Sequence, residues 1–257
     1  MPLYLLYWIY AGLVGLLVGS YLNVVIYRLP RHLSTVLPRS RCPACGTPIR
    51  PYDNIPVFAF LWLRGRCRTC GVRIGWRYPA IEALTGALFV LSALRFGLSL
   101  DALVAAVFCA AMVVLAAIDA EHFLLPDRIT LPGIAIGLAV QPWLSGPGLL
   151  SAAIGAAAGA GLLTLVWGLW YLIRREHGMG FGDVKMLAMI GAFLGLRSMG
   201  VALFVAVVAG ALSGLALLAV GRFGFRSKLP FGLFLALGAL VGLFFGDAIS
   251  TAYLGVL

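Results

Sequence analysis

A chain of 257 residues that is 62% hydrophobic and only 11% charged, with a mean hydropathy of +1.04, is too apolar for a soluble domain of its size. The net charge of +10 would suggest a nucleic-acid partner in a soluble protein, but here the basic residues lie in loops between long apolar runs, where anionic lipid headgroups are the adequate partner. The composition predicts an all-α polytopic membrane protein and gives nucleic acid little support.

Eight apolar segments follow one another: Leu3 to Tyr27, Ala80 to Phe96, Leu100 to Ile118, Ile129 to Leu144, Leu149 to Ile173, Val184 to Leu196, Met199 to Val220 and Pro230 to Ala252. They predict about eight transmembrane helices, with a small zinc-ribbon-like loop domain between the first and second. Ten arginines lie from Arg28 to Arg77, and 17 of the 19 basic residues fall in alternate loops; only Arg95 and Arg197 do not. The positive-inside rule then puts both termini outside and the Arg28 to Pro79 loop in the cytoplasm. No basic residue precedes the first segment and Arg28 and Arg31 follow it, so it is expected to remain as a span.

Within the first span, Asn23 needs a partner for its amide, either across a helix interface or in a ligand. The loop that follows carries Cys42 and Cys45 in one CxxC and Cys67 and Cys70 in another, with 21 residues between the pairs. Four thiolates at these spacings on the reducing side of a membrane predict a tetrahedral Zn²⁺ site, not disulfides. A site closed by four cysteines leaves no position for water, so the metal is expected to hold the fold of a loop too short to bury much core. Between the knuckles, Asp53 and Asn54 in the sequence YDNIP form a turn or contact a ligand. Glu82, just inside the second span, either pairs with a loop arginine such as Arg77 or meets a cationic group of a substrate.

The third span ends in LAAIDAEHFLLPDRIT. Asp127 is placed there to cap the fourth helix, whereas Asp119 closes an apolar run with no basic residue at helical spacing to neutralise it. Gly155, Gly159 and Gly161 in the fifth span predict close helix packing. The stretch GMGFGDVK, Gly178 to Lys185, then puts Asp183 where a glycine-rich loop enters an apolar run. Asp183 either caps a helix starting at Val184 or serves a site. The 13 residues from Val184 to Leu196 give about 20 Å of helix against a hydrocarbon core of about 30 Å. Either the membrane thins there or the helix starts earlier and draws Asp183 below the surface. Asp247, in the last span, is the weakest acidic candidate.

The topology comes from arginine counts alone, yet it puts Asp119 and Asp183, 64 positions apart, at one membrane face. Two carboxylates brought together in a partly dry site share a proton. The ionised member can take a proton from water as it attacks a peptide carbonyl, and the protonated member can polarise that carbonyl.

In GSYLNVVIYRLP, the two CxxC pairs, YDNIP, LRGRC, RYPAIEALT, IDAEHFLLPD and GMGFGDVK, in that order over nearly the whole chain, the sequence resembles the bacterial type IV prepilin peptidases. The resemblance implies a bacterial inner-membrane GxGD-type aspartyl protease with Asp119 and Asp183 as catalytic pair and Gly180, Gly182 and Lys185 in the active-site loop. It implies as substrate a type IV prepilin or type II secretion pseudopilin, whose short basic leader is cut after a glycine, just before an apolar helix. It also implies N-methylation of the new N-terminus from S-adenosylmethionine, with Asn23, Asp53, Asn54 and Glu82 bounding the region that binds substrate or cofactor. The domains expected are residues 1–27, a first helix; 28–79, the metal-binding and methylation-associated loop; and 80–257, the peptidase. The competing readings are a peptidase without methylation, a proton-coupled transporter using the two aspartates as a relay, and a membrane anchor for the zinc-binding loop.

Overall fold

A computed structural model describes residues 2–175, 180–220 and 229–254. Gly178, Glu176, His177 and the basic residues Arg222, Arg226 and Lys228 lie outside them. The described residues form helices α1 (Pro2–Arg28), α2 (Phe58–Trp62), α3 (Arg77–Phe96), α4 (Leu100–His122), α5 (Asp127–Val140), α6 (Leu149–Arg174), α7 (Phe181–Ala219) and α8 (Phe231–Leu254). Two isolated antiparallel bridges, Arg41 with Pro48 and Arg66 with Arg73, are the β pairing among them. Six helices, α1, α3, α4, α6, α7 and α8, are long and apolar enough to cross a membrane. The fourth apolar segment of the sequence is the shorter α5, continued by a 3-10 turn at Gln141–Trp143, and the sixth and seventh are joined in α7.

The chain divides into two compact units, Met1–Val114 and Leu115–Leu257, with the boundary inside α4. In the first, α1 packs against α3 along glycines. A Cβ added to Gly19 would lie 2.7 Å from Glu82 Cα, and one on Gly15 would lie 2.9 Å from Gly86 Cα. In a bilayer, where apolar side chains gain nothing from leaving lipid, such close backbone approach is what holds helices together.

The second unit is built on α7. Val184, Met186, Leu187, Ala188, Met189, Ile190, Gly191 and Ala192 are all buried. Helices α5, α6 and α8 pack on it. At 39 residues, or about 58 Å, an unbroken α7 would be nearly twice the thickness of a bilayer core. It is interrupted at Gly195, where φ is 71° and ψ is 177°, a conformation open to glycine. The interruption frees backbone groups that lipid cannot satisfy. Two side chains take them: Ser151 Oγ accepts from Leu196 N–H at 3.3 Å, and Gln141 Nε2 donates to Ala192 O at 2.8 Å and Phe193 O at 3.2 Å.

Of the three glycines expected to permit packing in α6, Gly155 and Gly159 do so. A Cβ on Gly191 would lie 2.4 Å from the Gly155 carbonyl, and one on Gly159 would lie 3.0 Å from Leu187 O. Gly161 meets nothing within 4 Å, because it faces away from α7. Gly191→Ala should therefore push two backbones apart and cost about 2 kcal/mol, lowering the thermal unfolding midpoint in detergent. Gly161→Ala should unfold at or above the wild-type temperature.

Candidate active site and metal centre

The last turn of α4 carries Asp119, 5% exposed. The chain leaves this helix through Phe123, held at φ 52° with its N–H bonded to Asp119 O, and runs extended through Leu125 to Pro126 in front of α5. Leu125 is buried, and two glycines stand against it. A Cβ on Gly182 would lie 2.9 Å from Leu125 Cβ; one on Gly232 would lie 3.0 Å from Leu125 Cδ2 and 2.9 Å from Asp119 Oδ2. No side chain larger than hydrogen fits at either position without moving the site.

Helix α7 opens at Phe181, three residues earlier than Val184, with Gly180 in the capping position at φ −73° and ψ 137°. Asp183 is thus not the cap of this helix. It lies in the first turn, 8% exposed, where the earlier start of the helix draws it inward. Its neighbour Gly182 and the glycine that stands against Asp119, Gly232, close on the same residue, Leu125, which brings the starts of α7 and α8 together beside Asp119. Helix α8 supplies a third component. Its first turn directs Leu233 N–H to Asp119 Oδ2 at 3.1 Å, and Gly232 N–H bonds the same carboxylate. These donors are among those a helix start leaves unsatisfied, and with the helix dipole they hold negative charge. Two carboxylates and two helix N-termini therefore meet at one place.

Asp127 does not cap α5 through its side chain; Pro126 occupies that position. Both Asp127 oxygens accept from Lys185 Nζ, at 2.7 and 2.8 Å, an ion pair that ties the start of α5 to the start of α7 across Leu125. The residues that sequence reasoning did not pick out are Leu125, Gly232 and Leu233. Their signal was a glycine two residues into a helix that follows Pro230, a place where a helix former would otherwise be expected.

In the first unit, the four loop cysteines come together with every Sγ within 4.8 Å of the others, and Cys42 Sγ is 3.8 Å from Cys70 Sγ. A tetrahedron with metal–sulfur bonds of about 2.3 Å has edges of about 3.8 Å, so this donor set fits one metal ion. The two knuckles repeat one design. Gly46 N–H bonds Cys42 O and Cys42 N–H bonds Thr47 O; Gly71 N–H bonds Cys67 O and Cys67 N–H bonds Val72 O; all four bonds are 2.9 Å. Gly46 and Gly71 take φ of 69° and 71°. The Thr47 hydroxyl, and then its backbone, bring the Cys45 thiol down to about 6, and the Cys70 backbone N–H lowers Cys67, whereas Cys70 is pushed up to about 11, the Val72 backbone N–H lowering it less than burial and the hydrogen bonds with Cys45, Cys67 and Cys42 raise it.

Asp53 and Asn54 lie in a 3-10 turn, Pro51–Asn54. Arg68 donates to Asp53 through Nε at 2.9 and 3.0 Å, and through its terminal nitrogen at 2.6 Å, which holds that carboxyl below its ordinary range. Asn54 is exposed. At the crossing of α1 and α3, the buried Asn23 donates through Nδ2 to Tyr78 O at 3.1 Å and Gly19 O at 3.4 Å. There Glu82, 9% exposed, accepts from Val57 N–H at 2.8 Å and from the Ser20 hydroxyl. A pocket of about 590 Å³ lies nearby in the sequence, lined by Phe60, Ile74 and Trp76 and by Arg64, Arg66 and Arg73.

The fold and these sites define a polytopic membrane protein with paired acids at helix ends and a four-thiol metal loop. Residues 13–96 match the model of the bacterial peptidase A24 N-terminal domain, and residues 106–215 match that of the type IV leader peptidase family. The chain is 41% identical over 262 residues to a prepilin leader peptidase/N-methyltransferase of Burkholderia pseudomallei (strain 1026b), covering 92% of this chain and 85% of that one. It is 36% identical over 246 residues to a protein of the same name from Bacillus subtilis (strain 168), covering 93% and 95%, and 37% identical over 269 residues to one from Pseudomonas putida, covering 96% and 93%. No solved structure matches it. The chain belongs to the type IV leader peptidase family.

The purified protein should carry a single tightly held metal ion per chain by elemental analysis. Cys42→Ser or Cys67→Ser should remove it, whereas Cys109→Ser, deep in α4, should not.

Proposed function

We propose that this protein removes the basic leader from type IV prepilins and type II secretion pseudopilins, cutting after a glycine at the cytoplasmic face of the bacterial inner membrane, and that it methylates the new N-terminus. The observation that carries the peptidase reading is the meeting of Asp119 and Asp183, both buried, beneath the N–H groups of α8. The α8 donors hold the negative charge on Asp119, which leaves the shared proton on Asp183. Asp119 takes a proton from water as the water oxygen attacks the scissile carbonyl carbon, and Asp183 donates its hydrogen bond to the carbonyl oxygen. When the tetrahedral intermediate collapses, the C–N bond breaks and Asp119 returns the proton to the leaving amine. Gly180 keeps the entrance of α7 clear of a side chain, so that an extended substrate backbone can approach, while Gly182 makes room for Leu125. The acids sit at helix ends and not mid-span, which favours hydrolysis over a proton relay for transport.

In this reading Zn²⁺ at Cys42, Cys45, Cys67 and Cys70 holds the loop domain, and the loop arginines face anionic headgroups on the cytoplasmic side, with both termini outside. For S-adenosylmethionine, the aromatic walls of Phe60 and Trp76 suit an adenine ring, and Arg64, Arg66 and Arg73 suit a carboxylate. Bound there, it would supply the methyl group. Asn23, Asp53, Asn54 and Glu82 bound the substrate side of the same unit, and no nucleic acid is expected.

Cleavage of a co-expressed prepilin tests the pair. Asp119→Asn and Asp183→Asn should each slow cutting about a thousandfold or more with the metal retained. Cutting by either variant at a comparable rate would overturn the assignment. The mass of the wild-type product, heavier by one methylene than the bare cut chain, reads out methylation. Lys185→Asp should slow cutting by about tenfold through the misplaced start of α7, and Asp127→Lys in the same chain should restore much of the rate, as a double-mutant cycle on an ion pair requires.

A further inference from the structure

Among the buried polar side-chain atoms of the described residues, Asn23 Oδ1 stands out. It has no hydrogen-bond partner, and its residue is only 3% exposed. The orientation of the amide is not arbitrary, because its nitrogen faces two carbonyls, Gly19 O and Tyr78 O, and only Nδ2 can donate to them. An acceptor left unpaired in such a place points to a donor that arrives from outside the chain.

Glu82 is at the same helix crossing. Gly19, one helical turn before Asn23, touches Glu82 backbone to backbone, and Ser20 donates to the Glu82 carboxylate. The segment above is strained. Val57, β-branched, takes φ 60° and ψ −50°, with Phe58 N–H turned back to Pro56 O at 2.6 Å. That turn directs Val57 N–H onto Glu82 Oε2. A backbone conformation of this kind persists only where its surroundings impose it, and here it fixes a buried carboxylate in place.

A carboxylate and an orphan amide oxygen, both acceptors, make a poor site for an anion and a good one for a primary ammonium, which has three N–H donors and a positive charge. From the Asn23 and Glu82 geometry we infer that the α1–α3 crossing binds the free N-terminal amine of the cut substrate. This rests on the methylation reading for its biological purpose, but the binding site stands on its own observations. Glu82 carries the charge contact, Asn23 Oδ1 accepts a second N–H, and Ser20 with the Val57 turn positions the carboxylate.

The test uses full-length protein in detergent and a hexapeptide of alanine and leucine, its N-terminus either free or acetylated. Wild type should bind the free amine about tenfold more tightly than the acetylated peptide, and Glu82→Gln and Asn23→Leu should each lose most of that preference while binding the acetylated form equally well. One bound metal ion per chain and a wild-type elution volume in detergent, kept by both variants, show that they are folded. A wild type without preference for the free amine, or variants that keep it, would overturn the site. If wild type prefers the free amine but its cut prepilin gains no methylene, the methylation reading fails and the amine site stands.

Discussion

The arrangement of the second unit depends on how one carboxylate is held. Asp119 closes an apolar helix, and an ionised group there loses most of its hydration. Backbone offsets that loss, since two N–H groups at the start of α8 bond a carboxylate that belongs to a helix more than a hundred positions earlier in the chain. For those groups to reach it, α8 must begin against α4, and Gly232 must have no side chain. Leu125, pressed between Gly182 and Gly232, then sets the spacing between the start of α7 and the start of α8. The position of Asp183 follows from these contacts.

The break in α7 belongs to the same arrangement. Its first half is enclosed by protein on nearly every side and carries Asp183 at its tip, while its second half runs beside α8 through Gly238, Gly242 and Gly246. An interruption between the halves would leave backbone groups bare in lipid, each at a cost of about 1–3 kcal/mol. Gln141 and Ser151 supply partners on the spot. The break is thus a fixed structural joint, and it lets one helix serve as the hub of the unit.

Much of this was legible in the chain. All eight apolar runs are helical, because a bilayer leaves the backbone no other way to satisfy itself within one segment. The cysteine pairs converge because each knuckle is a local turn whose glycine follows directly in the sequence. Asp119 and Asp183 could be singled out because an acid at the end of an apolar run lacks a local partner. What was not legible depends on contacts between distant positions: Lys185 with Asp127 at a separation of 58, Gln141 with Ala192 at 51, and Leu233 with Asp119 at 114. Asp127 shows the limit well. Its local sequence favours a cap, but a lysine on another helix takes both of its oxygens.

The two units use one device toward different chemistry. Asp119 accepts backbone N–H groups at the start of α8, and Glu82 accepts the N–H of Val57, the residue that opens α2. In both places main-chain donors keep a buried carboxylate where an aliphatic residue would have been cheaper to bury. The neighbour decides what each can do. Near Asp119 stands another acid, and in the proposed reaction the two hold a proton in common that can pass to and from water. At the helix crossing that holds Glu82 there is an amide oxygen that lacks a donor, and on our inference the place receives a cation. A carboxylate pair suits breaking a peptide bond, and a carboxylate with an unfilled acceptor suits holding the amine which that break releases.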